Sequence, residues 1–249
     1  MFIRNYSPSS IASYISAISF VHKSNNLADP TNSFLIKKIL KGAHNLKGKK
    51  DTRLPITKDI LIKLMTALPF VIQNVDNQLL LKAMFALAFY AFLRIGEITT
   101  KNNLNGSKVL QVSNVSFNAE DKDINDLSVV ITNYKHSDIH AKTIFITREF
   151  SNAACPVKAV HNYLSTFGHT KGSLFQFRCG SPVTHSYFTS SLKSILMFIG
   201  LDPKFYKGHS FHIGAATSVA AKGIPLSVIQ NMGRWKSDAF MRYIRMHNF

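Results

Sequence analysis

Residues 79–98, LLLKAMFALAFYAFLRIGEI, constrain the fold more than any other part of the chain. Residues 83–93 are apolar without a break, so no stripe separates an inner face from an outer one. A helix that is apolar nearly all round needs packing partners on every side. The pattern predicts one buried helix over residues 77–98. Its apolar part is far shorter than the ~20 residues that span a bilayer. Arg94 and Glu97 come at its C-terminal end, where burial is costly without a partner. The rest of the chain must therefore supply a shell of elements around one rod.

The remaining segments read as such a shell. Ser7 and Pro8 suit a helix start, and Ile11, Ile15, Ile18 and Val21 recur at steps of three and four. After Asp29-Pro30, Thr31 or Ser33 is expected to cap a second helix through Leu40. Residues 41–53, KGAHNLKGKKDTR, then read as a basic linker, with a domain boundary near Lys50. This gives a small helical unit over residues 1–50 and a larger one over 51–249. The first is short for independent folding, so we expect it to lean on the rest of the chain or to lack helices that once preceded it.

Thr57 is the N-cap of the next helix, with Asp59 in its first turn and Ile60, Leu61, Leu64 and Met65 on one face. Between residues 109 and 146 the period changes. Val109, Val112 and Val115 suggest a strand or turn, and residues 127–132 and 143–147 read as strands around a basic hairpin tip, NYKHSDIHAK. Helices follow over 156–167, 187–199 (ended by Gly200), 211–222, 225–232 (Gly233 as C-cap) and 238–246 (Ser237 as N-cap), with a short extended piece at 173–177. The expected class is mainly α with a small antiparallel β-sheet.

Charge narrows the partner. Lys and Arg number 30 against 13 Asp and Glu, a net charge of +17 with basic residues spread along the whole length. That favours a polyanion, nucleic acid before an acidic membrane surface. Cys155 and Cys179 have no metal-site spacing with each other or with the nearby histidines, and such sparse usage suits a reducing compartment. The start of the chain, MFIRNYSPSS, has no long apolar run, so no secretory leader is expected.

Cutting and rejoining DNA without a cofactor requires a hydroxyl nucleophile, a base for its proton, cations for the phosphorane, and an acid for the departing sugar oxygen. The chain holds candidates for each part: Arg94, Lys135 on the hairpin, His209 in GHSF, Trp235 after Gly-Arg, and Tyr243 between Arg242 and Arg245. His209 and His212 at i and i+3 lack the third ligand of a metal site, and the GxSxG elbow of a hydrolase is absent around Ser210.

The strongest of these pieces, AFLRIGEI (91–98), GHSFHIGAAT (208–217) and GRWKSDAFMRYIR (233–245), resemble the tyrosine recombinases of the phage-integrase superfamily, in the variety found in eukaryotic mobile elements. YISAIS, DTRLPIT and CPVKAVHNYL extend the resemblance over nearly the whole chain. It implies a helical, SAM-like core-binding domain followed by a catalytic domain, the two clamping duplex DNA. It further implies attack by Tyr243 to give a 3′-phosphotyrosyl link and a free 5′-hydroxyl, with neither metal nor nucleotide cofactor. Arg94 matches the first catalytic arginine and Glu97 its acidic support. Lys135 matches the hairpin lysine that acts as general acid, with Lys142 as the alternative. His209 matches the histidine of the family's H-x-x-R motif, Trp235 the later His-or-Trp position, and Tyr243 the nucleophile. Assembly as a dimer or tetramer on DNA, and a nuclear or otherwise intracellular setting without a membrane, follow from the same resemblance.

One position departs from it. His212 stands where the resemblance implies the second arginine. A histidine is shorter, offers at most two donors and is mostly neutral near pH 7. Loss of one such clamp typically costs about 2.7–4 kcal/mol, or roughly 10²–10³ in rate. The expectation is a weakened strand transferase or, alternatively, an inactive DNA-binding remnant or domesticated protein.

Overall fold

The computed structural model describes residues 6–47, 51–101, 106–120, 123–132, 141–149 and 153–245. The chain divides into two compact units, Met1–Thr52 and Arg53–Phe249.

The first unit contains α1 (Pro8–Ser24) and α2 (Phe34–Lys47). Ser7 caps α1 by accepting a hydrogen bond from the Ser10 amide at 3.1 Å, with Pro8 in the first turn where its missing N–H costs nothing. A 3-10 turn, Pro30–Asn32, joins the helices and is capped by Asp29, while Ser33, one of the two residues expected to cap the second helix, accepts from the Ile36 amide at 3.4 Å. The second helix does not stop at Leu40. It runs through Gly42 to Lys47, so most of the stretch expected to be a linker is helical. A single glycine costs only about 1 kcal/mol in a helix, and Ala43 is buried there.

The second unit is built around α4 (Val75–Tyr90), whose residues Ala83–Phe89 are all buried. Helices α3 (Lys58–Val71), α6 (Pro156–Phe167) and α8 (His209–Ala221) pack against it, and α7 (His185–Phe198) packs on α3. Thr57 caps α3 as its sequence predicts. The sheet is antiparallel in the order β1 (Val115–Glu120), β2 (Asp123–Ile131), β3 (Lys142–Thr147). Leu127, Val129 and Ile131 alternate inward from β2, in register with Ile146 and Ile144 of β3, and α6 covers that face. Tyr163 of α6 is fully buried, and burial pushes its phenol up to about 12.

The central helix differs from its expected form. It stops at Tyr90, and Phe92 takes a left-handed φ of 50°. The Leu93 amide returns to the Ala88 carbonyl at 3.0 Å, which closes the helix end. A separate short helix, α5 (Ile95–Ile98), then begins with Arg94 as its N-cap. Arg94 therefore starts a helix instead of ending one. The last turn also differs from the predicted α-helix. Leu226–Met232 forms α9, and Asp238–Tyr243 is a 3-10 helix with Ser237 at its N-cap but without a side-chain cap bond.

Candidate active site

The break after α4 creates the site. Arg94 folds back on its own helix. Its amide donates to Glu97 Oε2 at 2.9 Å and its guanidinium to Glu97 Oε1 at 3.2 Å. About a fifth of the Arg94 side chain stays exposed (19%). That exposed part lines a cleft of about 460 Å³ together with His185, Lys193, Lys207 and His209. The wall is rich in cationic and imidazole groups, which suits an anion. Gly208 lets the start of α8 approach α5 closely, since a Cβ there would collide with Ile95.

His209 opens α8, and its ring lies 5.1 Å from the ring of Tyr243 and 5.6 Å from that of His212. Trp235 stacks on Phe240 at 5.4 Å and on Tyr243 at 5.7 Å, and meets His212 edge-on at 4.6 Å. A side chain on Gly233 would strike the indole, so glycine is what lets the ring turn inward. Tyr243 ends the 3-10 helix and is partly buried. The Thr217 hydroxyl of α8 donates to the Tyr243 carbonyl at 3.2 Å and accepts from the Arg245 amide at 3.1 Å.

His212 is fully buried, and its Nδ1 lies 2.8 Å from the Phe92 carbonyl oxygen. Burial first, then the positive charges of Arg94, His209 and Arg234, hold its pKa well below the ordinary histidine value; the bond to Phe92 opposes this weakly. The ring is therefore neutral near pH 7. It is no electrostatic equal of an arginine.

The structure adds a residue that the sequence did not single out. Arg234 has a left-handed φ of 57° and a side chain only 1% exposed. It donates to Glu97 Oε2 at 2.7 Å, to the Phe92 carbonyl at 3.0 Å and to the Ala91 carbonyl at 3.3 Å. Glu97 is thus shared by two guanidiniums, and the cluster keeps a net positive charge. An arginine following Gly233 in a Gly-Arg-Trp turn reads as a surface residue. Its partner Glu97 is 137 positions away, and no local signal could have joined them.

Lys142 begins β3. Its ammonium donates to the side-chain and backbone oxygens of Asn231 on α9. Burial and the nearby Arg234 push its pKa down. Lys135 lies outside the described residues. Among the described residues, no group of three or more His, Cys, Asp or Glu could hold a metal ion, and no helix is long and apolar enough to cross a membrane.

This arrangement of helices and sheet is the tyrosine-recombinase fold, as the sequence resemblance implied. No protein-family model and no curated protein matches the chain. Solved structures do. The chain resembles the XerH site-specific recombinase bound to difH substrate in a pre-cleavage complex, with a TM-score of 0.58 at 13% identity over 98% of this chain and 68% of that one. It also resembles the XerA recombinase, with a TM-score of 0.53 at 16% identity over 98% and 80% of the two chains. A third likeness is to the Tn1549 transposon integrase in complex with circular intermediate DNA, with a TM-score of 0.54 at 13% identity over 100% and 78%.

Proposed function

We propose that the chain binds duplex DNA and breaks and rejoins a strand through a phosphotyrosyl link to Tyr243, in site-specific recombination or integration of a mobile element. The observation that supports this reading is a cation-lined cleft walled by Arg94 and His209, with Tyr243 in ring contact with His209 and Trp235 stacked on Tyr243, within a recombinase fold. In it, Arg94 is the exposed guanidinium for the scissile phosphate, and Glu97 fixes its fork. His209 donates at the same phosphate. Lys135, or Lys142 with its lowered pKa, delivers a proton to the leaving 5′-oxygen. The net charge of +17 supplies the general attraction to the DNA backbone. The first unit serves as the core-binding domain and the second as the catalytic domain. Dimers or tetramers form on DNA, in the nucleus or otherwise inside the cell.

The test is a covalent-adduct assay on a pool of labelled duplexes randomised around a nick in one strand. Loss of the short fragment beyond the nick blocks religation and traps the enzyme–DNA link. An adduct from the parent chain, absent with Tyr243→Phe, supports strand transfer. A second reading, DNA binding without cleavage, is favoured by the neutral, buried His212 in place of a cation. It predicts no adduct, with an affinity that still falls by about 0.9 log units per log unit of salt for each phosphate contacted.

A further inference from the structure

His212 has an acceptor atom without a partner. The Phe92 carbonyl can only accept, so the 2.8 Å contact places the proton on His212 Nδ1. In the neutral ring Nε2 is then a bare lone pair. It is buried and has no hydrogen-bond partner. Buried polar atoms are almost always satisfied, and the exceptions call for an explanation.

The surroundings exclude the obvious one. An anion contact needs Nε2–H, hence a charged ring. Burial and the charges of Arg94, from the N-cap of α5, Arg234, from the turn after α9, and His209 of α8 all oppose that charge. Glu97 does not offset them freely, because both arginines already hold it. Lys142 of β3, near enough to Arg234 to feel its charge, adds a further cation to this cluster. A lone pair in such a place suits a hydroxyl donor. Of the rings packed around His212, Tyr243 carries the one hydroxyl, with its ring perpendicular at 6.1 Å.

We propose that His212 is the general base of strand transfer, accepting the Tyr243 phenolic proton at Nε2. This rests on the strand-transfer reading above. As the Tyr243 Oη–phosphorus bond forms, the phenolic proton passes to Nε2, directly or through one water. The phosphorus–O5′ bond breaks, and the leaving oxygen takes its proton from the hairpin lysine. The Phe92 carbonyl holds the tautomer throughout, as an orienting acceptor does for other catalytic histidines. The bound phosphate offsets the repulsion of Arg94 and Arg234, so the base strengthens once DNA is in place. The imidazolium then stands beside the phosphorane. A cation appears at this position only in the transition state, where it accelerates the reaction most.

The randomised nicked-duplex pool is the probe. The parent chain is expected to form adduct at a rate that rises through one low pKa, is level around neutrality and falls only where the hairpin lysine loses its proton. His212→Asn keeps an amide donor for the Phe92 carbonyl and lacks the Nε2 lone pair. Compared at equal DNA occupancy, it is expected to react about 10²–10⁴-fold more slowly. A parent rate that climbs on towards the ordinary tyrosine pKa of about 10 overturns the proposal. So does parent-like reaction by His212→Asn, or faster reaction by His212→Arg. The pH profile uses only the parent chain, so it decides even where a variant does not fold. DNA binding by the parent without any adduct overturns the base and the strand-transfer reading but leaves DNA binding standing. No binding to any duplex overturns the reading beneath both.

Discussion

The two units of the chain are both helical, but they bury different things. Among the described residues of the first, only Ile11 and Ala43 are buried, while Phe20, Phe34, Leu35 and Leu46 are each more than three-fifths exposed. The second closes around α4, where Leu80, Leu81 and residues 83–89 are all buried. The first unit relies on polar ties instead. Asp29 accepts from the Ser19 hydroxyl at 2.6 Å and from the Thr31 hydroxyl and amide at 2.7 and 2.9 Å, and pairs with Lys23 at 3.3 Å. A short segment cannot enclose much apolar surface, so capping and turn chemistry carry more of its order. The difference predicts that a packing change costs far more in the second unit than in the first, and that the order of the first unit rests on its capping and turn bonds.

The largest effect should come from Phe85→Ala. Phe85 is fully buried against Phe188 and Phe211, with ring centroids at 5.5 and 5.4 Å. Its truncation is expected to cost about 3–5 kcal/mol. Phe34→Ala, at a residue 74% exposed, should stay within about 0.5 kcal/mol. Urea unfolding of each variant measures both, with Trp235, the chain's sole tryptophan, reporting on the second unit. Equal losses would erase the contrast.

Next comes Arg234→Ala. It leaves the Glu97 carboxylate with Arg94 alone and strips donors from two buried carbonyls, so a loss of about 3 kcal/mol is expected on the same urea curve. A neutral result would mean that Arg94 alone satisfies Glu97.

Acid should then separate the units. Hydrogen bonds from Ser19 and Thr31 hold Asp29 well below the usual carboxylate range. Its stabilising contribution is complete above the unfolded value of about 3.9 and is lost as pH falls through the lower folded value. His212 is lowered too, but by burial. The unfolded chain takes up a proton there below about pH 6.5 while the folded chain does not, so the second unit begins to lose stability at that higher pH. Amide hydrogen exchange against pH resolves the two. His212→Asn should remove the early phase in the second unit and leave the first unit unchanged.

Apart from the near-neutral Phe34→Ala, the smallest expected effects are at the helix starts. Ser7→Ala and Asn74→Ala each remove a side-chain acceptor, from the amides of Ser10 at 3.1 Å and Asn77 at 2.9 Å. Each should cost about 1 kcal/mol. Because the first unit has so little core, the Ser7 change should raise its local exchange rates visibly, while the same loss at Asn74 is absorbed by the packing of α4.

These contrasts also explain what could be read from the sequence. Caps and periods are local, so the starts of α1, α3 and α6 and the strands around Leu127 and Ile144 were legible. The break after Tyr90 was not. An unbroken apolar run carries no period to interrupt, and Phe92 is not a residue that announces a left-handed turn. The end of α2 was misplaced because Gly42 and the lysines after it look like a linker, while Ala43 finds a buried place. The family resemblance singled out Arg94, His209, Trp235 and Tyr243; the fold places Arg94 and His209 on one cleft and brings the rings of His209 and Trp235 against Tyr243. The role of Arg234 depends on contacts with Ala91, Phe92 and Glu97, which only the folded chain brings near.

The Thr217 hydroxyl has a practical consequence. It grips the segment around Tyr243 by main-chain atoms alone, the carbonyl of Tyr243 and the amide of Arg245. The phenol itself does not anchor that grip. Removing its oxygen in Tyr243→Phe therefore leaves the backbone tether in place, and the variant makes a silent control whose loss of adduct reports the missing nucleophile and not a displaced tail.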